Sequence, residues 1–261
     1  AADVFIPAPR VFRNPNPRTR VVIFDPLVHP GNKADSVCNP CLIFVRWIPQ
    51  RPRTSRTSLD HCWAGIAAEL PALRIKVEGK DIQESPSWIV YWTRAQIAEL
   101  ETAADHFANT GIALENITTK SFPVATLKPF IADVLHELMQ GRGFVMLRGL
   151  PIQNWTIEKA ATIYMGIGRH MGSLRSSNGK GHLLGHVRDQ GAKVEAGARF
   201  YQTNKKLDYH TDSADIVGLL CLQKAKEGGE SFIASSMALY NEMVKRRPDL
   251  ISAMFTPYPT D

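Results

Sequence analysis

Tyr209-His210-Thr211-Asp212-Ser213 lies between a strand-like run, Arg199-Phe200-Tyr201-Gln202-Thr203, and an apolar one, Ile216-Val217-Gly218-Leu219-Leu220-Cys221-Leu222. Side chains alternate faces along an extended chain, so positions i and i+2 point the same way. On that geometry His210 and Asp212 reach one ion together, whereas on a helix they would point to nearly opposite sides. A neutral imidazole and a carboxylate are two of the three ligands of a 2-His-1-carboxylate site, which holds non-haem Fe(II) with open positions. Eight histidines and thirteen aspartates in 261 residues give roughly 0.4 His-x-Asp matches by chance, so the tripeptide alone decides nothing. The bland alternative is a strand-end histidine hydrogen-bonded to its neighbour.

The length suits one large domain, or a domain with an extension. No run of about 18 apolar residues is present, which argues against a membrane span. The N-terminus shows no basic segment followed by a long apolar one, so no secretory leader is visible. Cys38, Cys41, Cys62 and Cys221 do not make a disulfide framework in a chain of this size, and a reducing, cytoplasmic setting is expected. Cys38-Asn39-Pro40-Cys41 lacks the second pair that a zinc site would need.

The net charge of +6 is unevenly placed. Residues 1–60 hold nine Lys/Arg against four acids, a surplus of five, which leaves a surplus of one for the rest. A basic arm can attract phosphate, but a solvated extension is the expectation, with no specific nucleic acid as partner. Nine of the seventeen prolines also fall in residues 1–60. Each removes a backbone donor and biases its predecessor away from helix. Two apolar runs there, Val21-Val22-Ile23-Phe24 and Leu42-Ile43-Phe44-Val45, could form strands. Residues 1–87 are therefore read as a basic, proline-rich extension, with the ordered domain over 88–261.

Within that domain, Thr93 and Gln96 form a possible capping box ahead of Ile97, Leu100, Ala104 and Phe107, which predicts a helix over 94–107. Phe130, Ile131, Val134, Leu135 and Leu138 predict a second over 127–140, with Pro129 tolerated in its first turn. Gly143 to Gly149 reads as a buried strand and its turn, and a third helix is expected from Thr156 to Gly168. Gly166-Ile167-Gly168 ends a helix on this reading instead of opening one, so it is no dinucleotide loop. Strands are expected at 182–187, 199–203, 216–222 and 231–235, followed by a helix over 236–247 and a short one from Pro248. Helices followed by closely spaced strands indicate an α+β domain with a sandwich or barrel.

Four blocks together resemble the Fe(II)/2-oxoglutarate-dependent taurine dioxygenase (TauD/TfdA-like) family: Gly141 to Gly149, Tyr201-Gln202-Thr203-Asn204 leading to His210-Thr211-Asp212, Val217 to Leu222, and Gly228-Gly229-Glu230-Ser231. The resemblance implies a double-stranded β-helix, a jelly-roll relative, with helices on one face. It implies His210 and Asp212 as iron ligands, Ser231 at the distal carboxylate of the 2-oxoglutarate co-substrate, and Tyr201 and Asn204 in the substrate pocket. It implies a dioxygenase that uses Fe(II) and O2 to hydroxylate a small molecule, with succinate and CO2 as co-products. Self-association into a homo-oligomer is left open.

The family's third iron ligand is a downstream histidine, and a later arginine grips the 2-oxoglutarate carboxylate. Here no histidine follows His210, and the later arginines, Arg246 and Arg247, fall on an expected helix. His182 and His186 flank an expected strand and read as structural. The expectation is a domain cut before its last strands. The competing reading is a non-catalytic β-helix relative lacking the distal His and Arg.

Overall fold

The computed structural model describes residues 20–26, 41–46, 84–188, 203, 207–210, 212, 214–223 and 231–254. It is a mixed α+β structure. The strands are β1 (Arg20–Pro26), β2 (Cys41–Arg46), β3 (Ile89–Tyr91), β4 (Phe144–Arg148), β5 (Ser173–Leu174), β6 (Leu184–Val187) and β7 (Ile216–Leu220). The helices are α1 (Arg94–Asn109), α2 (Lys128–Gln140), α3 (Ile157–Met171), α4 (Ser236–Arg246) and α5 (Ile251–Met254). The strands form one sheet in the order β3-β4-β2-β7-β1-β5, with β6 also on β1. β2 runs antiparallel to both neighbours, and β1 runs parallel to β5, β6 and β7.

The apolar runs at 21–24 and 42–45 are strands, and both lie inside the sheet. β2 places Leu42 opposite Leu147 on one side and Leu220 on the other. All three leucines are essentially inaccessible to water. Each contributes about 2 kcal/mol by burial. Their row faces the core, where it joins Ile131, Val134 and Leu138 of α2 and Ile163, Ile167 and Met171 of α3. Alternation along β7 follows the same rule, with Ile216, Gly218 and Leu220 buried and the residues between them half-buried.

α1 begins as its sequence requires. The Thr93 hydroxyl accepts from the Gln96 amide at 3.2 Å, and the Gln96 side chain accepts from the Thr93 amide at 2.9 Å. This reciprocal pair satisfies two amides that the helix leaves free. α2 has no such cap of its own, because Leu127 occupies the position. The chain just ahead of it is held by a neighbouring helix instead: the Glu99 carboxylate of α1 accepts from the amide of Thr126 at 2.8 Å, from the Ala125 amide and from the Thr126 hydroxyl. Burial alone would raise the Glu99 pKa, but the bonds from Thr126, Ala125 and Leu127 outweigh it and hold the carboxyl below its ordinary value.

α3 runs to Met171, past the expected end at Gly168. Gly166 and Gly168 are helix interior, and Gly172 is the cap. The reason is packing. A Cβ on Gly166 would stand 2.5 Å from the Phe122 ring, which is fully buried against this point of the helix. One turn later, His170 Nε2 donates to the Phe122 carbonyl at 2.8 Å, and Arg169 Nε donates to the Ile117 carbonyl at 2.8 Å. The strand expected at 231–235 is not formed. The segment is irregular, with Phe232 and Ile233 exposed, and no described strand lies beside it. A β-prone composition makes a strand only where a partner satisfies its backbone. Here Ser235 instead caps α4, accepting from the Ala238 amide at 3.2 Å.

Two outcomes follow from the Phe122 contact. Gly166→Ala gains about 1 kcal/mol of helix propensity but overpacks the ring at about 1–3 kcal/mol. A net loss is expected, with Tm lower by about 2–4 °C in a thermal melt. Burial pushes His170 below the ordinary imidazole value, and the Lys128 charge pushes the same way; the Phe122 bond and Glu99 pull it back only in part. The unfolded chain therefore binds the proton more readily. The stability gained from neutral His170 is fully present above about pH 6.5 and is lost as the pH falls below it. Tm should fall as the pH drops below about 6.5, and less steeply in His170→Gln.

Candidate metal site

The candidate ligands sit on the approach to β7. Ile216 is fully buried and Ala214 nearly so, which anchors the start of the strand in the core. Ahead of that anchor the chain comes to the surface, where Leu207, Asp208, Tyr209 and His210 are exposed and Asp212 is half-buried. His210 and Asp212 lie in irregular chain rather than in a strand. They precede the first residue of β7, Ile216, which lies in register with Arg46 of β2 and Val21 of β1.

His210 Nδ1 is 2.9 Å from the carbonyl oxygen of Asp208. A carbonyl only accepts, so Nδ1 carries a proton, and in the neutral form of the ring the lone pair falls on Nε2. This is how metal-binding histidines are oriented: the second nitrogen donates to a carbonyl or carboxylate, which fixes the tautomer and raises ligand basicity. By donor type, one imidazole nitrogen and one carboxylate, His210 and Asp212 suit a divalent ion. Among the described residues no group of three His, Cys, Asp or Glu side chains is placed to hold a metal.

The other expected site residues fall out as follows. Ser231 is exposed, at the start of the irregular segment before α4. Tyr201, Asn204 and the turn Gly228-Gly229-Glu230 lie outside the described residues. Arg246 and Arg247 are both engaged locally. Arg246 Nε donates to Glu242 at 2.9 Å, one helical turn back, and Arg247 pairs in two-pronged fashion with Asp249, the shorter contact being 2.7 Å. The Asp249 pair raises the Arg247 pKa, and the same contact lowers that of Asp249. His182 belongs to a turn, its Nδ1 lying 3.0 Å from the Asn178 amide nitrogen, and His170 is held by Phe122. Residue type pointed to the pair at 210 and 212. The Asp208 carbonyl that orients His210 went unread, because a backbone carbonyl two positions back carries no residue-type signature.

Residues 109–260 match the family model described as "Taurine catabolism dioxygenase TauD, TfdA family". The chain belongs to the TauD/TfdA family. This TauD/TfdA chain is 30% identical over 176 residues to FR-33289 synthase of Streptomyces rubellomurinus, covering 67% of this chain and 52% of that protein. It is 27% identical over 184 residues to the taurine hydroxylase-like protein SAT17 of Stachybotrys chartarum, covering 67% of this chain and 48% of that protein. The chain spans about half the length of the curated relatives it matches. No helix among the described residues is long and apolar enough to cross a membrane.

The local pairing of the two late arginines gives a direct expectation. Arg246→Ala and Arg247→Ala should leave 2-oxoglutarate binding within about twofold of the unmodified chain, since surface pairs of this kind carry little energy and face their own helix end. Isothermal titration with 2-oxoglutarate and Fe(II) reads this directly; a loss of tenfold or more would place one of them at the co-substrate.

Proposed function

We propose that this chain carries the metal-holding part of a non-haem Fe(II)/2-oxoglutarate-dependent oxygenase that hydroxylates a small molecule, releasing succinate and CO2. The observation that carries it is the His210 tautomer. In a TauD/TfdA chain, the histidine of His-x-Asp holds its proton on the nitrogen facing the Asp208 carbonyl, which leaves the other for a metal. The sheet and its helices are read as part of a double-stranded β-helix, with residues 88–261 as the dioxygenase region and 1–87 as an extension to it.

His210 and Asp212 would hold Fe(II), and their exposed approach leaves room for a co-substrate and O2. When bound, the iron supplies oxidative decarboxylation: one oxygen atom of O2 goes to succinate as CO2 leaves, and the other enters a substrate C–H bond as a hydroxyl. Asp208 keeps the imidazole oriented and in its metal-binding tautomer. Ser231 would donate a hydroxyl hydrogen bond to the distal carboxylate of 2-oxoglutarate, and Tyr201 and Asn204 would line the substrate pocket. The printed name of one relative, taurine hydroxylase-like, fits hydroxylation.

A second reading has a specific observation behind it. With both late arginines paired locally, the chain also fits a relative that keeps the shell without the chemistry. Anaerobic addition of Fe(II) and 2-oxoglutarate to the full chain separates the two. The oxygenase reading expects a visible charge-transfer band, its loss in His210→Ala and Asp212→Ala, and Fe(II) affinity lower by at least about tenfold, the scale that follows loss of even an outer metal-site partner. Absence of the band, with Fe(II) retained equally by the double variant, would establish the non-catalytic relative.

A further inference from the structure

The family-matched stretch contains β4, β5, β6 and β7, yet among the described residues none of these four strands pairs with another. Every connection between them runs through β1 or β2, which come from residues 20–46, outside the match. β2 fills the space between β4 and β7, with Cys41–Val45 set against Arg148–Phe144 and Leu42–Arg46 against Leu220–Ile216. β1 lies on the other edge of β7 and joins it to β5 and β6. β1 and β2 do not pair with each other, so this segment is not a hairpin docked at an edge; it straddles β7.

We propose that residues 20–46 are a strand-donating clasp that completes the sheet of the family-matched region from outside it. The two spaces it fills, one between β4 and β7 and one between β7 and the β5/β6 side, are binding sites for extended apolar segments, occupied here by this chain's own β2 and β1. Three features support this. The register is specified, because a slip of one residue would turn Leu42 out of the row it shares with Leu147 and Leu220. The donated β2 is paired on both edges rather than laid on the rim, and its Leu42 is wholly inaccessible. The composition around the two runs, rich in proline and basic residues, gives them no partners of their own. Recognition is by main-chain hydrogen bonds, with alternate side chains setting the fit, as when an extended segment adds to a sheet. The clasp holds both edges of the strand that presents His210 and Asp212, so the metal pair depends on it for its position.

Hydrogen exchange read by mass spectrometry on the full chain tests this. In the unmodified protein, amides of Leu42–Val45 should exchange at least about a hundredfold slower than an unstructured peptide, within the range of β4 and β7. Phe44→Pro removes a donor from a strand bonded on both edges. Amides of Phe144–Arg148 and Ile216–Leu220 should then exchange at least about tenfold faster, with those of α1 unchanged. If Phe44→Pro does not give folded protein, Leu42→Ala is read in the same way. Three results would overturn the proposal: exchange of 42–45 at the unstructured rate, β4 and β7 unaffected by the substitution, or acceleration spread evenly through α1 and the sheet.

Discussion

A strand in mid-sheet has to satisfy its backbone donors and acceptors on two sides at once, and most of this architecture follows from how β2 does so. Its six residues bond β4 with one edge and β7 with the other, and Leu42 sits in a row of three leucines beneath the helices. Withdrawing it would expose two lines of peptide groups and open an apolar trench along α2 and α3. Polar groups buried without partners cost more than the bonds they normally make contribute, so the sheet tolerates a gap poorly. The helical layer depends on the same strand, because α2 and α3 rest on the face that β2 helps to make continuous.

The metal pair inherits its setting from this. β7 is rigid because both of its edges are paired and alternate residues are buried, and the loop before it is anchored at Ala214 and Ile216. His210 and Asp212 therefore project from the mouth of a fixed strand, with the imidazole steadied by a carbonyl two residues back. A site on irregular chain gains precision only from what holds that chain at its ends. Here one end is core and the other surface.

Local signals were legible where the cause was local. The capping box at Thr93 and Gln96 and the apolar spacing behind it marked α1 almost to the residue, and Pro129 marked the first turn of α2. The end of α3 was misjudged because Gly166 and Gly168 look like stop signals. Gly166 serves the Phe122 ring more than forty positions earlier in the chain, a contact that no window of sequence contains. Residues 231–235 carried the composition of a strand but pair with no strand among the described residues. The runs at 21–24 and 42–45 were readable as strands, but their places between β4, β7 and β6 were not, since period-2 alternation specifies a face and says nothing of a neighbour. At the site, residue type singled out His210 and Asp212 as candidates, while the Asp208 carbonyl beside the imidazole was invisible to it.

The Glu99 carboxylate at the start of α2 has a consequence for the order in which the helices can form. α1 carries its own start signal, whereas the chain leading into α2, at Ala125 and Thr126, is tied to a carboxylate on α1 more than twenty positions upstream. Nucleation is the unfavourable step in making any helix, so fixing the chain just ahead of α2 against a formed α1 makes the start of α2 easier once α1 is in place. The two then assemble as one cooperative unit, in which the second helix reports whether the first is in place.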